Sequence, residues 1–222
     1  MLVVHHLNNS RSQRVLWLLE ELGFPYEIRH YSRDAKTQLA PPELRAVHPL
    51  GKSPVLTDGD AVIAETGAIL DYLVEKAGGR MRPAQGSPER LRYTYWTHYA
   101  EGSLMPPLVM RLILSRLPER APAEFAEGAK RLTGATIQNY VDPQLSVHFD
   151  YIEAELAKST WFAGEELTAA DVMMSFPLEA GGARAGAFAG RPRIEAFVAR
   201  CHARPAFRTA LEKGGPYAYA QG

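Results

Sequence analysis

The chain has 222 residues, 46% of them hydrophobic and 23% charged, a size and balance that suit one large or two small soluble globular domains. Its 25 basic and 25 acidic residues cancel and are well mixed, so no long-range field draws it to nucleic acid or to an anionic membrane. A single cysteine, Cys201, excludes an internal disulfide and a cysteine-rich zinc site, and it fits a reducing, cytoplasmic setting.

The opening Met1 to His6 is too short and too polar for a signal peptide, and no apolar run approaches the ~20 residues of a membrane span. Leu2 to Val4 reads as a short buried strand. After the polar turn Asn8-Asn9-Ser10-Arg11-Ser12, residues Val15, Leu16, Leu18, Leu19 and Leu22 recur at helical spacing. Gly23 sits where a C-cap glycine belongs, and Pro25 prevents continuation. Tyr26 to Tyr31 alternates and is rich in strand formers, which predicts a parallel βαβ unit. Val55-Leu56-Thr57 and Ala61-Val62-Ile63 flank Asp58-Gly59-Asp60, a hairpin signal, and Ala68, Ile69, Tyr72 and Leu73 predict a closing helix. This order is that of an α/β thioredoxin-like domain, expected over residues 1–79.

Residues 78–86 are a linker by composition, and Ser87-Pro88 starts a helix with a cap and an N1 proline. No strand is predicted beyond it. Helices are expected over 88–103, 107–116, 123–158, 168–180, 192–203 and 206–213, the third kinked at Asp142-Pro143. The second domain, 87–222, is therefore predicted to be an all-α bundle.

Four stretches carry the chemical signal. The turn Asn8 to Arg14 precedes a helix whose N-terminus favours an anion, and a serine there can donate to a thiolate. Alternatively Ser10 or Ser12 simply caps the helix, the simpler reading of that stretch alone. In His48 to Val55, the Ser53-Pro54 step can expose the Ser53 backbone to an extended peptide, or can be a rigid turn before the hairpin. Thr66 reads as an N-cap beside Glu65, a carboxylate site next to an ammonium site, or else only a capped helix. Thr168-Ala169-Ala170-Asp171 is a capping box, a folding element with an expected worth of ~1 kcal/mol.

Together, in this order and spacing, these stretches resemble the cytosolic glutathione transferase family over essentially the whole chain. Ser10-Arg11-Ser12-Gln13-Arg14-Val15 resembles the serine-type turn of the theta and tau classes. Lys52-Ser53-Pro54-Val55-Leu56 resembles the segment ending in cis-proline, and Glu65-Thr66-Gly67-Ala68-Ile69 the Glu-Ser/Thr motif. The whole is similar to bacterial and fungal transferases. The absence of a tyrosine or cysteine from the first turn argues against the classes that use those residues.

The resemblance implies that Ser10 donates to the glutathione sulfur, with Asn9 and Arg11 as competing neighbours in the same turn. It implies that the Ser53 backbone pairs with the cysteinyl unit beside cis-Pro54. Glu65 and Thr66 would hold the γ-glutamyl head, and Lys52 and Gln38 would reach a carboxylate. Tyr99, Met105, Met110 and Tyr217 are candidate walls for a small hydrophobic electrophile. Glutathione is implied as co-substrate, with no cofactor and no metal, and a detoxifying homodimer is implied in turn. The alternatives on the same fold are a glutathione-dependent disulfide or peroxide reductase, an isomerase, or a non-catalytic glutathione-binding module.

Overall fold

The computed structural model describes residues 1–220; Gln221 and Gly222, the end of the expected second domain, lie outside the described residues. The first part runs β1 (Leu2–Leu7), α1 (Ser12–Leu22), β2 (Tyr26–Tyr31), α2 (Glu43–Val47), β3 (Val55–Asp58), β4 (Ala61–Ala64) and α3 (Thr66–Lys76). The sheet order is β2-β1-β3-β4. β1 and β2 are parallel, with Val4 opposite Ile28, and β1 and β3 antiparallel, with Val4 opposite Leu56. The Asp58-Gly59-Asp60 hairpin joins β3 to β4.

Two differences from the sequence reading have physical causes. β1 extends to Leu7 because His5 and His6, read as polar, are buried in the sheet at 5% and 4% exposure. The short α2 was not expected: only Leu44 of its five residues is buried, so it leaves no apolar period to read. α1 ends as its sequence requires, with Gly23 left-handed at φ 70° and the Phe24 N–H returning to the Leu19 carbonyl.

The helical part comprises α4 (Pro88–Tyr99), α5 (Met105–Arg116), α6 (Ala126–Thr136), α7 (Asp142–Glu155), α8 (Ala169–Ala185), α9 (Pro192–Ala203) and α10 (Pro205–Gly214). α4 passes into α5 through a π-turn, Ala100–Leu104, and α6 into α7 through another, Ile137–Val141. Each π-turn lies just ahead of prolines (Pro106 and Pro107, and Pro143) that cannot donate to the preceding turn, so a wider turn re-routes the ladder. The expected kink at Asp142-Pro143 takes this form.

α8 runs five residues beyond its predicted end, through Pro177. Gly181 and Gly182 are tolerated because larger residues would not fit; a Cβ on Gly182 would lie 2.2 Å from the Phe188 ring. α1 is covered on all sides, by the sheet and by α8 and α10. Val15, Leu16, Trp17, Leu18 and Leu19 are all 0% exposed, and the Trp17 ring meets Phe207 edge-on at 5.3 Å. Full burial of each such side chain contributes roughly 1.5–3 kcal/mol.

At the start of α8 the capping box forms as read: Asp171 accepts from the Thr168 N–H and hydroxyl at 2.8 and 2.9 Å. It also accepts from the Phe162 N–H at 2.8 Å and is 0% exposed. Burial pushes its carboxyl up to about 6, against the three donors that favour the charged form. Asp171→Ala strands these donors in the core. We expect a loss of about 3 kcal/mol rather than the ~1 of an ordinary cap, read by urea unfolding.

Candidate active site

A cavity of about 890 Å³ opens between the two parts of the chain. Its walls are the Asn8 to Arg11 turn, the loop after β2, residues 50–53, one side of α5, the end of α8, and Ala218 and Tyr219.

The turn is pinned from both sides. Asn8 Oδ1 accepts from the Arg33 N–H at 3.0 Å, and Asn9, left-handed at φ 51°, accepts from the Ala218 N–H at 2.7 Å. Asparagine tolerates that conformation better than other non-glycine residues. Arg11 Nε meets both Glu101 carboxylate oxygens at 2.9 and 3.1 Å. Ser10 makes no side-chain bond to the helix N-terminus beyond Ser12: its Oγ accepts from the Ser12 N–H at 3.2 Å and lies 2.7 Å from Ser12 Oγ. Neither serine caps α1 through its side chain in the usual way, because both belong to a buried chain. Ser12 Oγ lies 2.9 Å from His6 Nδ1. Burial, reinforced by nearby His30, lowers the His6 pKa to about 4, so the ring is neutral near pH 7.

The Ser53–Pro54 peptide bond is cis. Ser53 Oγ donates to the His5 carbonyl at 2.9 Å and lies 3.5 Å from Ser10 Oγ, fixing residue 53 against the turn. Lys52 lines the cavity and is exposed. Gln38 lines it too, but its side-chain amide is turned back onto the Ala35 carbonyl at 3.1 Å. At the head of α3 the cap position is Glu65, not Thr66; Glu65 is left-handed at φ 70° and exposed. Thr66 is the first helical residue, buried, and its Oγ1 accepts from Arg14 Nη2 at 3.2 Å.

Arg14 is the least expected member of this region. It is 1% exposed, and its guanidinium binds Thr66 on α3, Glu101 at 2.5 Å in the π-turn, and the Met173 carbonyl at 2.7 Å. That carbonyl is free because Pro177, four residues on, has no N–H to give it. Burial lowers the Arg14 pKa, and Glu101 opposes that shift.

Of the expected electrophile walls, Met105 lines the cavity. Tyr99 and Met110 do not: the Tyr99 hydroxyl meets His148 and its ring stacks on Tyr95 at 5.5 Å, while Met110 is 42% exposed elsewhere. Tyr217 is buried and donates to Glu179. Their places are taken by Leu108, Phe176 and Tyr219. Arg33, Arg116 and Arg184 also line the cavity and were not singled out in the sequence. Arginines scattered over a loop and two helix ends read as solvated charge until the fold brings them together.

Residues 1–75 match the family model for the N-terminal domain of glutathione S-transferase, and residues 110–205 that for its C-terminal domain. Glutathione S-transferase 3 of Schizosaccharomyces pombe is 37% identical over 217 residues, 96% of this chain and 88% of that protein. Glutathione S-transferase 1 of Saccharomyces cerevisiae is 35% identical over 185 residues, 79% of each chain. The crystal structure of a glutathione S-transferase from Actinobacillus pleuropneumoniae superposes with a TM-score of 0.82 at 33% identity, covering 100% of this chain and 97% of that one. A two-part chain of this fold, with these relatives across nearly all of its length, belongs to the glutathione S-transferase family.

Proposed function

We propose that the protein conjugates glutathione to a carbon electrophile, with residues 1–79 binding glutathione and the helical residues from 87 onward supplying the electrophile pocket. The Ser53 backbone, Lys52, Glu65 and Thr66 hold the tripeptide, and Ser10 donates to its sulfur. A free thiol with pKa near 8.5 is only a few per cent thiolate at pH 7. Lowering that value by about two units, roughly 2.7 kcal/mol, makes bound glutathione mostly thiolate. The sulfur then attacks the electrophilic carbon, the C–S bond forms, the leaving group departs with its electron pair, and the thiol proton passes to solvent.

The observation that carries this reading is the chain from His6 through Ser12 to Ser10. A hydroxyl has one proton and two acceptor sites. The His6 ring donates to the Gly214 backbone, so in the neutral imidazole Nδ1 accepts from the Ser12 hydroxyl, and the Ser10 oxygen accepts from the Ser12 N–H. Its own proton, within reach of the Ser12 and Ser53 oxygens, turns from them to a sulfur placed in the cavity. Asn9 and Arg11 are engaged by Ala218 and Glu101, which favours Ser10 over either neighbour.

Ser10→Ala should raise the pKa of bound glutathione by about one to two units. The rate at pH 7 should fall roughly ten- to a hundredfold with affinity held, and part of it should return at higher pH. Titration of thiolate absorbance in Ser10→Ala, Asn9→Ala and Arg11→Ala is the measurement. A shift confined to either neighbour's variant would remove the role from Ser10 and favour a reductase.

The same chain gives a pH dependence. The His6 folded pKa of about 4 lies below its usual 6.5, so the unfolded chain takes up the proton first as pH falls. The His6 contribution is complete above about pH 6.5 and is lost toward pH 4, by roughly 3 kcal/mol. Asp171, whose pKa is raised to about 6, acts in the opposite sense over part of that window. The difference between wild type and His6→Gln, measured by urea unfolding from pH 7 to 4.5, isolates the His6 share. An identical slope in both proteins would mean that His6 is not held neutral.

We also infer a homodimer in a cytoplasmic, detoxifying role. Support comes from a run of exposed apolar side chains: Leu91 at 75% and Tyr95 on α4, beside Val147 at 69% and Tyr151 on α7. The Tyr95 and Tyr151 rings lie edge-on at 6.5 Å, so the patch is continuous between the helices. Patches of this kind mark protein interfaces. Light scattering should give twice the chain mass of 24.6 kDa at micromolar concentration; a mass near 24.6 kDa would count against the dimer.

A further inference from the structure

The cavity is lined by seven cationic side chains and by no aspartate or glutamate. Two of the seven are neutralised from just outside it, Arg11 by Glu101 and Arg111 by Asp142. The others have no carboxylate partner among the described residues, although the protein as a whole carries 25 acidic and 25 basic residues. Charge of one sign has therefore been sorted into this cleft. Lys52 and Arg45, on the side of the cavity nearest Ser53, suffice for the glycyl carboxylate of glutathione. Its other carboxylate is expected at the head of α3, outside the cavity lining.

That leaves Arg33 in the loop after β2, Arg116 at the end of α5 and Arg184 near the end of α8. Arg33 has a lowered pKa, chiefly from burial and then from the like charges of Arg116, Arg11 and Arg184, with Tyr219 acting in the opposite sense. The guanidiniums thus repel one another across a shared space, an arrangement that an anion placed between them relieves. Beside them lies an aromatic surface. The Arg184 guanidinium stands 4.9 Å above the Tyr219 ring, and Tyr219 meets Phe176 edge-on at 5.5 Å.

We propose that this part of the cavity, where the loop after β2 meets α5 and α8, selects an anionic electrophile, an aromatic body bearing a carboxylate that Arg33, Arg116 and Arg184 receive while Phe176 and Tyr219 flank the ring. The proposal rests on the transferase reading and narrows its second substrate from any small hydrophobic electrophile to an acidic one. Arginine suits this task because its planar fork can bind a carboxylate through two parallel hydrogen bonds. In the reaction that follows, the glutathione sulfur bonds to the ring carbon, the carbon–halogen bond breaks with its electron pair leaving as halide, and the thiol proton goes to solvent. The carboxylate is unchanged throughout.

A matched pair of substrates tests this: 4-chloro-3,5-dinitrobenzoate and 4-chloro-3,5-dinitrobenzamide, each rate normalised to its uncatalysed reaction with glutathione. Wild-type kcat/KM should favour the benzoate by about tenfold at low salt, the range of a charge-assisted contact. Raising the salt concentration should shrink that preference. Arg116→Gln and Arg184→Gln should each reduce it severalfold. Equal normalised rates, a preference for the amide, or variants that raise the glutathione KM equally with both substrates would overturn the proposal. If neither compound is conjugated, the transferase reading fails by itself. Calorimetry with 3,5-dinitrobenzoate against 3,5-dinitrobenzamide then decides the anion site, which stands on tighter binding of the benzoate and falls on equal binding.

Discussion

One buried guanidinium ties the two halves of this molecule together. Arg14, in the first turn of a helix covered on all sides, reaches the head of α3, the π-turn after α4 and an interior carbonyl of α8. A buried charge is tolerated when it is paired, and here the partners of the two terminal nitrogens come from three separate segments, while Nε has none. The π-turn at Ala100–Leu104 carries Glu101, and the proline inside α8 frees the Met173 carbonyl. Two apparent irregularities of the helices thus supply the acceptors that one arginine needs. Removing the Glu101 carboxylate alone would leave an uncompensated charge in the seam.

The Asn8 to Arg11 turn is held through that seam. Glu101 serves Arg11 as well as Arg14, so the residues on both sides of Ser12 are tied to the helical part. Asn8 and Asn9 are held by Arg33 and by Ala218 through backbone N–H groups. The Ser10 oxygen is thereby held by the Ser12 N–H, beside the hydroxyls of Ser12 and Ser53. Such support from the surrounding shell is what keeps a donor within the few tenths of an ångström that charge stabilisation demands.

The cavity itself has two characters. On the sheet side it offers backbone and small hydroxyls suited to an extended peptide; on the helical side it offers arginines over aromatic rings. A chain with no net charge can hold such a locally positive cleft because its acidic residues pair elsewhere, as Glu21 does with Arg204 and Glu155 with Arg92. Overall charge therefore says little about the field inside a site.

Local features decided much of the architecture. The 3.6-residue period of α1, the Gly23 stop, the hairpin at Asp58-Gly59-Asp60 and the Thr168–Asp171 box are each written within a few residues, and backbone sterics or a short-range hydrogen bond enforces them. The order of these elements was enough to read a thioredoxin-like domain followed by a helical one. What only the tertiary structure decided were groupings across distant positions. In the sequence Arg14 is only one member of the turn before α1, yet it meets Glu101 and Met173, 87 and 159 positions away. Tyr99 looked like a pocket wall, but an aromatic cluster between α4 and α7 claims its ring. Arg33, Arg116 and Arg184 share no local pattern; one follows a strand and two end helices. Which side chains face a common cavity depends on how helices pack across a seam, and no window of neighbouring residues carries that information.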